Sequence, residues 1–325
     1  MGETVVRFEK FTKRFAEKIV LDQISLDVNK GEILGIMGLS GSGKTTLLNS
    51  LIGFYEGEEG DILFNAKSLI GDRIADFKSV QRFKEQARMI FGFATQVSSL
   101  YPKLTVYENL DYFGALFQVP KKIRDTNIRK LLEITGLTYA KDLRTENLSE
   151  GMKKRLDIAC ALIHNPKVLI LDEPTADLDP IYRKQINQLI KKINKIGTTI
   201  VVASHLLDEA SEICTRVTII HNGKLLVIGT PQELIKKHVL FEEVILETTK
   251  KIYPEISKQL HARIGKDIEK ITLVDGKLHI RVKEGKEALK HIIHILESLK
   301  DELVDIRVTK PSLDEVFEIL IRGRR

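Results

Sequence analysis

The sequence predicts an α/β fold, a mixed sheet flanked by helices, with a smaller α+β region behind it. Three observations carry this. The apolar run Ile33-Leu34-Gly35-Ile36-Met37 breaks into Gly38-Leu39-Ser40-Gly41-Ser42-Gly43-Lys44-Thr45, after which Thr46 to Ile52 reads as helix. A second run, Val168-Leu169-Ile170-Leu171, closes on Asp172 and is apolar throughout, as a parallel strand covered on both faces must be. From about residue 238 the pattern changes to short alternating strands and helices that carry no chemical motif.

In chain order, residues 4–28 alternate, Val6 with Phe8 and later Ile24 with Leu26 and Val28, which suggests an antiparallel sheet. The glycines at 38, 41 and 43 let the backbone wrap a phosphate chain and turn its N–H groups inward. The helix N-terminus that follows adds partial positive charge. Lys44 offers a full charge to β- and γ-phosphates, and the Thr45 hydroxyl a ligand for Mg²⁺. The alternative is a glycine-rich turn with a chance lysine. The strand–loop–helix context favours the phosphate reading, and with it a nucleoside triphosphate. Residues about 60–95 hold a charged insertion that reads as helical over Asp76 to Glu85 and has no assignable role. Leu100-Tyr101-Pro102 then leads into helical sequence to about residue 160.

Ser149 is placed to cap a helix running through Leu156 to Ile163, and the N–H groups behind it form a second anion site. Asp172, at a strand end, can hold Mg²⁺ through water, and Glu173 can orient or deprotonate an attacking water. Pro174 forces an immediate turn. His205 follows the apolar strand Thr199 to Ala203, at the strand end where α/β sheets bind ligands.

In this order the pieces resemble an ATP-binding cassette (ABC) ATPase. They are the Walker A loop at 38–45, Gln96, the signature Leu148-Ser149-Glu150-Gly151-Met152, the Walker B strand ending Asp172-Glu173, the D-loop Ala176-Asp177-Leu178-Asp179 and the switch His205. The resemblance covers about residues 5–235 and implies a P-loop NTPase core with antiparallel β and helical subdomains, the latter at about 97–162. It implies that Gly38, Leu39, Ser40, Gly41, Ser42, Gly43, Lys44, Thr45 and Thr46 hold ATP. Thr45, Gln96 and Asp172 would hold Mg²⁺, and Glu173, His205 and Gln96 would serve hydrolysis. Phe15 stands where the family stacks a ring on adenine; an ordinary core phenylalanine is the alternative, with Phe8 and Phe11 nearby. Ser149 and Gly151 would close on the ATP of a second cassette, so a head-to-tail dimer is expected, homo- or heteromeric. Glu150 and Met152 depart from the common Leu-Ser-Gly-Gly-Gln. Methionine is familiar in the drug and antibiotic exporter branch, whereas Glu150 either repels phosphate or points to solvent. The helical subdomain would receive a coupling helix of a membrane permease, with Leu100, Tyr101, Tyr112, Phe113 and Phe117 as groove candidates or as subdomain core.

Composition fits a cytosolic enzyme. The 51 Lys+Arg and 45 Asp+Glu are interleaved along the chain, which argues for a solvated surface and against a nucleic-acid groove. The closing Arg322-Gly323-Arg324-Arg325 is a frayed tail or a contact for anionic lipid. Cys160 and Cys214 lie in apolar sequence and read as reduced core thiols. Neither a signal peptide nor an apolar run near the ~20 residues that span a bilayer is seen, so a pore would be another polypeptide.

Residues 238–325 read as β-α-β-β-α-β, a ferredoxin-like α+β domain following a 1–237 nucleotide-binding domain. Asp275-Gly276 is the hairpin turn, Ile256, Leu260 and Ile264 face inward from one helix, and Leu289, Ile292, Ile293, Leu296 and Leu299 from the other. Ser312 and Glu315 form a capping box for a last helix whose Ser-Leu-acidic-acidic-Val-Phe start resembles exporter-branch ATPases. An interaction or regulatory module is expected, with ligand binding as the alternative. The expected function is the ATP-hydrolysing subunit of an ABC transporter, peripheral on the cytoplasmic membrane face through a separate permease and working in export. The alternatives are a soluble ABC ATPase acting on ribosome or DNA and a regulatory subunit with impaired hydrolysis.

Overall fold

Alternating burial builds the first sheet. The computed structural model describes residues 2–71, 76–309 and 311–322, and the chain divides into two compact units, Met1–Pro231 and Gln232–Arg325. In the first unit β1 (Thr4–Phe15) pairs antiparallel with β2 (Lys18–Asn29), Val6 facing Val28 and Phe8 facing Leu26. These residues point to one core, as the two-residue period of a strand requires. After β3 (Ile33–Met37) and α1 (Lys44–Leu51), β4 (Glu59–Asn65) adds to the other edge of β1.

The insertion departs from its sequence reading. Asn65 caps a short α2 (Ala66–Ile70), and Phe77–Ser79 then forms a strand, β5, paired with β4. Helix begins only at α3 (Lys84–Ile90), not at Asp76. The local charge pattern is overridden because Val80 is fully buried and Arg7 covers the Phe77 ring at 4.9 Å, both of which need an extended chain against β4. The sheet order is β2-β1-β4-β5 among the described residues.

The second sheet takes β6 (Phe91–Ala94), then, beyond the helices α4 (Val106–Leu116), α5 (Lys121–Thr135) and α6 (Glu150–Leu162), the strand β7 (Val168–Asp172). It continues through α7 (Pro180–Lys195), β8 (Thr199–Ser204), α8 (Leu207–Ile213), β9 (Arg216–His221) and β10 (Lys224–Gly229). The order is β10-β9-β3-β8-β7-β6, parallel except for β10. Every residue of β3, β7 and β8 is buried, which explains their unbroken apolar runs. Because β3, β8 and β7 are neighbours, the glycine-rich loop, His205 and Glu173 leave the sheet side by side.

Helix α9 (Pro231–His238) leads to β11 (Glu242–Thr248), α10 (Tyr253–Ile264), β12 (Ile268–Val274), β13 (Lys277–Val282), α11 (Gly285–Leu299), β14 (Leu303–Thr309) and α12 (Leu313–Arg322). The sheet order is β12-β13-β11-β14, antiparallel throughout. Asp275 and Gly276 both take positive φ, 49° and 76°, as a two-residue hairpin requires. On α11 the buried set is Gly285, Ala288, Ile292, Ile295 and Leu296; Ile293 is exposed, because the helix turns it one position past the core-facing stripe. Ser312 accepts from the Glu315 N–H at 3.4 Å, while the Glu315 carboxylate faces Arg281 at 3.9 Å in place of the reciprocal cap. Gly323, Arg324 and Arg325 of the basic tail lie outside the described residues.

Candidate active site

The loop at 38–45 is shaped by two glycines that nothing larger can replace. A Cβ on Gly38 would lie 2.3 Å from the Ile220 carbonyl oxygen, and Gly43 starts α1 at φ 108°. Lys44, the first helical residue, points back over the loop. Its Nζ donates to the carbonyls of Gly38 (2.9 Å) and Leu39 (3.2 Å) and lies 3.4 Å from Glu173 Oε1. Glu173, one residue past β7, is buried and held at φ 49°. Its second oxygen is 2.8 Å from His205 Nδ1 and accepts from the His205 N–H at 3.4 Å. The carboxylate therefore sits between a cation and an imidazole, each from a different strand end.

Ser40, Gly41, Gly43, Lys44, Thr45 and Thr46 line a cavity of about 340 Å³, and Gln96, Glu173 and His205 line it too. Asp172 stands apart from that lining, beside the Thr45 hydroxyl. Burial pushes its carboxyl above the ordinary range, with the neighbouring Thr45 hydroxyl opposing the shift, and its Oδ1 has no partner among the described residues. An unmatched carboxylate oxygen beside a threonine hydroxyl is a hard-oxygen donor set that suits Mg²⁺. Ser42 Oγ is likewise buried without a partner among those residues.

Phe15 is not core. It ends β1 42% exposed, edge-on to Tyr55 at 5.1 Å, whereas Phe8 and Phe11 are buried. Ser149 caps α6 by accepting from the Met152 N–H at 3.3 Å. Neither Ser149 nor Gly151 lines the cavity formed by the loop. Glu150 is exposed and pairs with Lys153 at 2.8 Å, which offsets its charge.

The ABC transporter family model matches residues 21–176. The uncharacterized ABC transporter ATP-binding protein YdbJ of Bacillus subtilis (strain 168) is 38% identical over 226 residues, 69% of each chain. The chain belongs to the ABC transporter ATP-binding family. It is thus an ATP-hydrolysing transporter subunit. The linearmycin resistance ATP-binding protein LnrL of the same organism is 28% identical over 315 residues, 96% of this ABC subunit and 97% of LnrL. Among solved structures, cbiO1 from Clostridium perfringens, part of the ABC transporter complex cbiONQ, superposes with a TM-score of 0.63 at 27% identity. That match covers 81% of this chain and 97% of cbiO1.

A second cavity of this ABC subunit, about 480 Å³, is lined by Phe54, Phe91, Phe93, Phe113, Leu116 and Phe117, with Lys84, Arg88 and Asp157 as its charged members. Phe113 and Phe117 thus line a cavity. Leu100, Tyr101 and Tyr112 do not line it; the Tyr101 and Tyr112 rings meet edge-to-face with centroids 4.7 Å apart and hydroxyls 3.2 Å apart. Sequence reading missed Phe54, Leu116 and Asp157. For Asp157 the available signal was an acid on the inward stripe of α6, between the buried Leu156 and Ile158.

Burial pushes the Asp157 carboxyl up to about 6 from an ordinary 3.8. A carboxyl raised in the folded state costs nothing below its unfolded value; the cost sets in as pH climbs between the two values and is complete above the folded one. Asp157→Asn is therefore expected to melt several degrees above the parent near pH 8 and to lose that advantage near pH 4. Thermal unfolding at both pH values checks this, and a gap that ignores pH would overturn it.

Proposed function

We propose that this subunit hydrolyses ATP as half of a head-to-tail dimer and drives a separate membrane permease, in export. The observation that carries the catalytic part is Glu173 held between Lys44 and His205 at the ends of neighbouring strands. With ATP along the loop, Lys44 gives up Glu173 for the β- and γ-phosphates. Glu173 is then free to orient and deprotonate water, with His205 fixing its second oxygen. Thr45, Gln96 and Asp172 would hold Mg²⁺, whose charge, when bound, offsets that of the phosphate oxygens. The exposed Phe15 ring would stack on adenine. Phe15→Ala is expected to raise KM for ATP roughly two- to tenfold, the worth of one aromatic contact, with kcat little changed. ATP titration of the variant checks it.

Ser149 and Gly151 stand outside the chain's own nucleotide cavity, which supports their service to a second copy. Glu150 turned to Lys153 removes the motive for a regulatory subunit with impaired hydrolysis. The aromatic cavity around Phe113 and Phe117 would receive the permease. No helix among the described residues is long and apolar enough to cross a membrane, so we place the subunit on the cytoplasmic face through that permease. Export is supported by the end-to-end likeness to a protein named for linearmycin resistance. Within the proposed 1–237 and 238–325 division, the β12-β13-β11-β14 order supports a ferredoxin-like accessory domain for interaction or regulation.

The test is steady-state MgATP hydrolysis by the purified chain over a range of protein concentration. Specific activity that climbs with concentration is expected of a dimeric site. Absent turnover at every concentration would sink the proposal for the chain as its own partner.

A further inference from the structure

Gln96 belongs to a short segment that α6 grips at two points. Lys154 Nζ donates to the carbonyl oxygens of Thr95 (3.1 Å) and Gln96 (3.2 Å). Three residues on, the Asp157 carboxylate faces Ser98 and Ser99, and it shares a cavity wall with Ser99. Residues three apart share a helix face, so the cation holds one end of the 95–99 segment and the anion lies against the other. The same helix begins at Ser149, whose hydroxyl caps it. From Ser149 to Lys154 is about 8 Å of rigid α-helix at 1.5 Å per residue.

Neither gripping residue is the choice that stability alone would favour. Lys154 is half-buried, with its ammonium turned onto two backbone carbonyls and away from solvent. Asp157 keeps Oδ2 buried with no partner among the described residues. An apolar residue at either position would spare that desolvation. Charges kept at such a cost, touching the segment that carries Gln96, point to positioning.

We propose that Lys154 and Asp157 form a clamp that sets the position of Gln96 and ties it to the Ser149 end of α6, so that contact of Ser149 with a partner's nucleotide is felt at the chain's own nucleotide. The coupling half rests on the dimer reading above; the positioning half does not. Lys154 and Asp157 are positioning residues, acting through the 95–99 backbone without touching phosphate.

The experiment uses the full-length chain and four proteins: wild type, Lys154→Met, Lys154→Arg and Asp157→Leu. MgATP titrations yield kcat, KM and the Hill coefficient, and hydrogen exchange without nucleotide reports on the 96–99 amides. Lys154→Met is expected to lose roughly tenfold in kcat with KM nearly unchanged, the mark of misplaced rather than missing binding groups. Its Hill coefficient falls toward unity and the 96–99 amides exchange faster. Lys154→Arg, which keeps charge and donors, restores most of both, and Asp157→Leu repeats the loss of cooperativity. Wild-type kcat and cooperativity in Lys154→Met would overturn the clamp, as would lost kcat with unchanged exchange at 96–99. Should Lys154→Met melt well below wild type, Asp157→Leu decides by the same criteria. Sizing of Glu173→Gln in MgATP separates the two layers. An ATP-dependent dimer with an unaffected Lys154→Met sinks the clamp alone. A monomer sinks the dimer and the coupling, and the clamp then stands or falls on exchange and kcat.

Discussion

Glu173→Gln is expected to lower steady-state ATP turnover by roughly 10²–10⁴-fold, the usual contribution of a positioned general base, while ATP binding persists. The geometry explains both halves. Glu173 is the carboxylate at the end of β7 that faces the loop cavity, and it already holds His205 Nδ1 at 2.8 Å. Glutamine keeps the shape and can still accept from the His205 backbone N–H, so the pocket survives. It cannot take a proton from water. The groups assigned to the phosphates, Lys44 and the loop N–H donors, are untouched. Bound ATP that is not cleaved should then hold two copies together, visible as an ATP-dependent shift to dimer on sizing. Phosphate release and equilibrium nucleotide binding on the same preparation check the prediction. Turnover near the wild-type level would remove Glu173 from the chemistry, and lost binding would make its role structural.

Much of this site is legible in sequence because it is assembled from strand ends. The apolar runs at β3, β7 and β8 are unbroken because both faces of each strand are covered, and each run stops where a chemical residue begins. What lies between those stops is not legible. The Lys44–Glu173 and Glu173–His205 contacts depend on β3, β8 and β7 being neighbours in that order, and no local pattern encodes strand order. Phe15 shows the same limit: its exposure follows from its place at the end of β1, where three nearby phenylalanines look alike in sequence. The strand at Phe77–Ser79 is hidden by surrounding charge, since its pairing with β4 outweighs local helix propensity. The Lys154–Asp157 grip is hidden because a charged helix residue usually faces solvent.

Lys44 carries the second large effect, and it should appear in two separate quantities. In Lys44→Met the triphosphate loses its buried lysine contact in the loop cavity, and ATP affinity is expected to fall roughly tenfold to a hundredfold or more, the worth of a charge-assisted bond. Stability should fall as well, for a reason unconnected with ATP. Lys44 and Glu173 are 6% and 8% exposed and 3.4 Å apart, so removing the cation leaves a buried carboxylate with His205 as its remaining neighbour. Breaking such a pair from one side costs about 3 kcal/mol or more, several degrees in Tm for a unit of this size. Adding Glu173→Gln to Lys44→Met removes the stranded charge, and the double variant should recover most of the lost Tm while still binding ATP weakly and cleaving little of it. Thermal unfolding of the two single variants and the double closes the cycle. A double variant no more stable than Lys44→Met would mean that the pair contributes no coupling. Lys44 would then be leaving nothing behind when it moves to phosphate, and release of Glu173 by ATP would have no energetic basis.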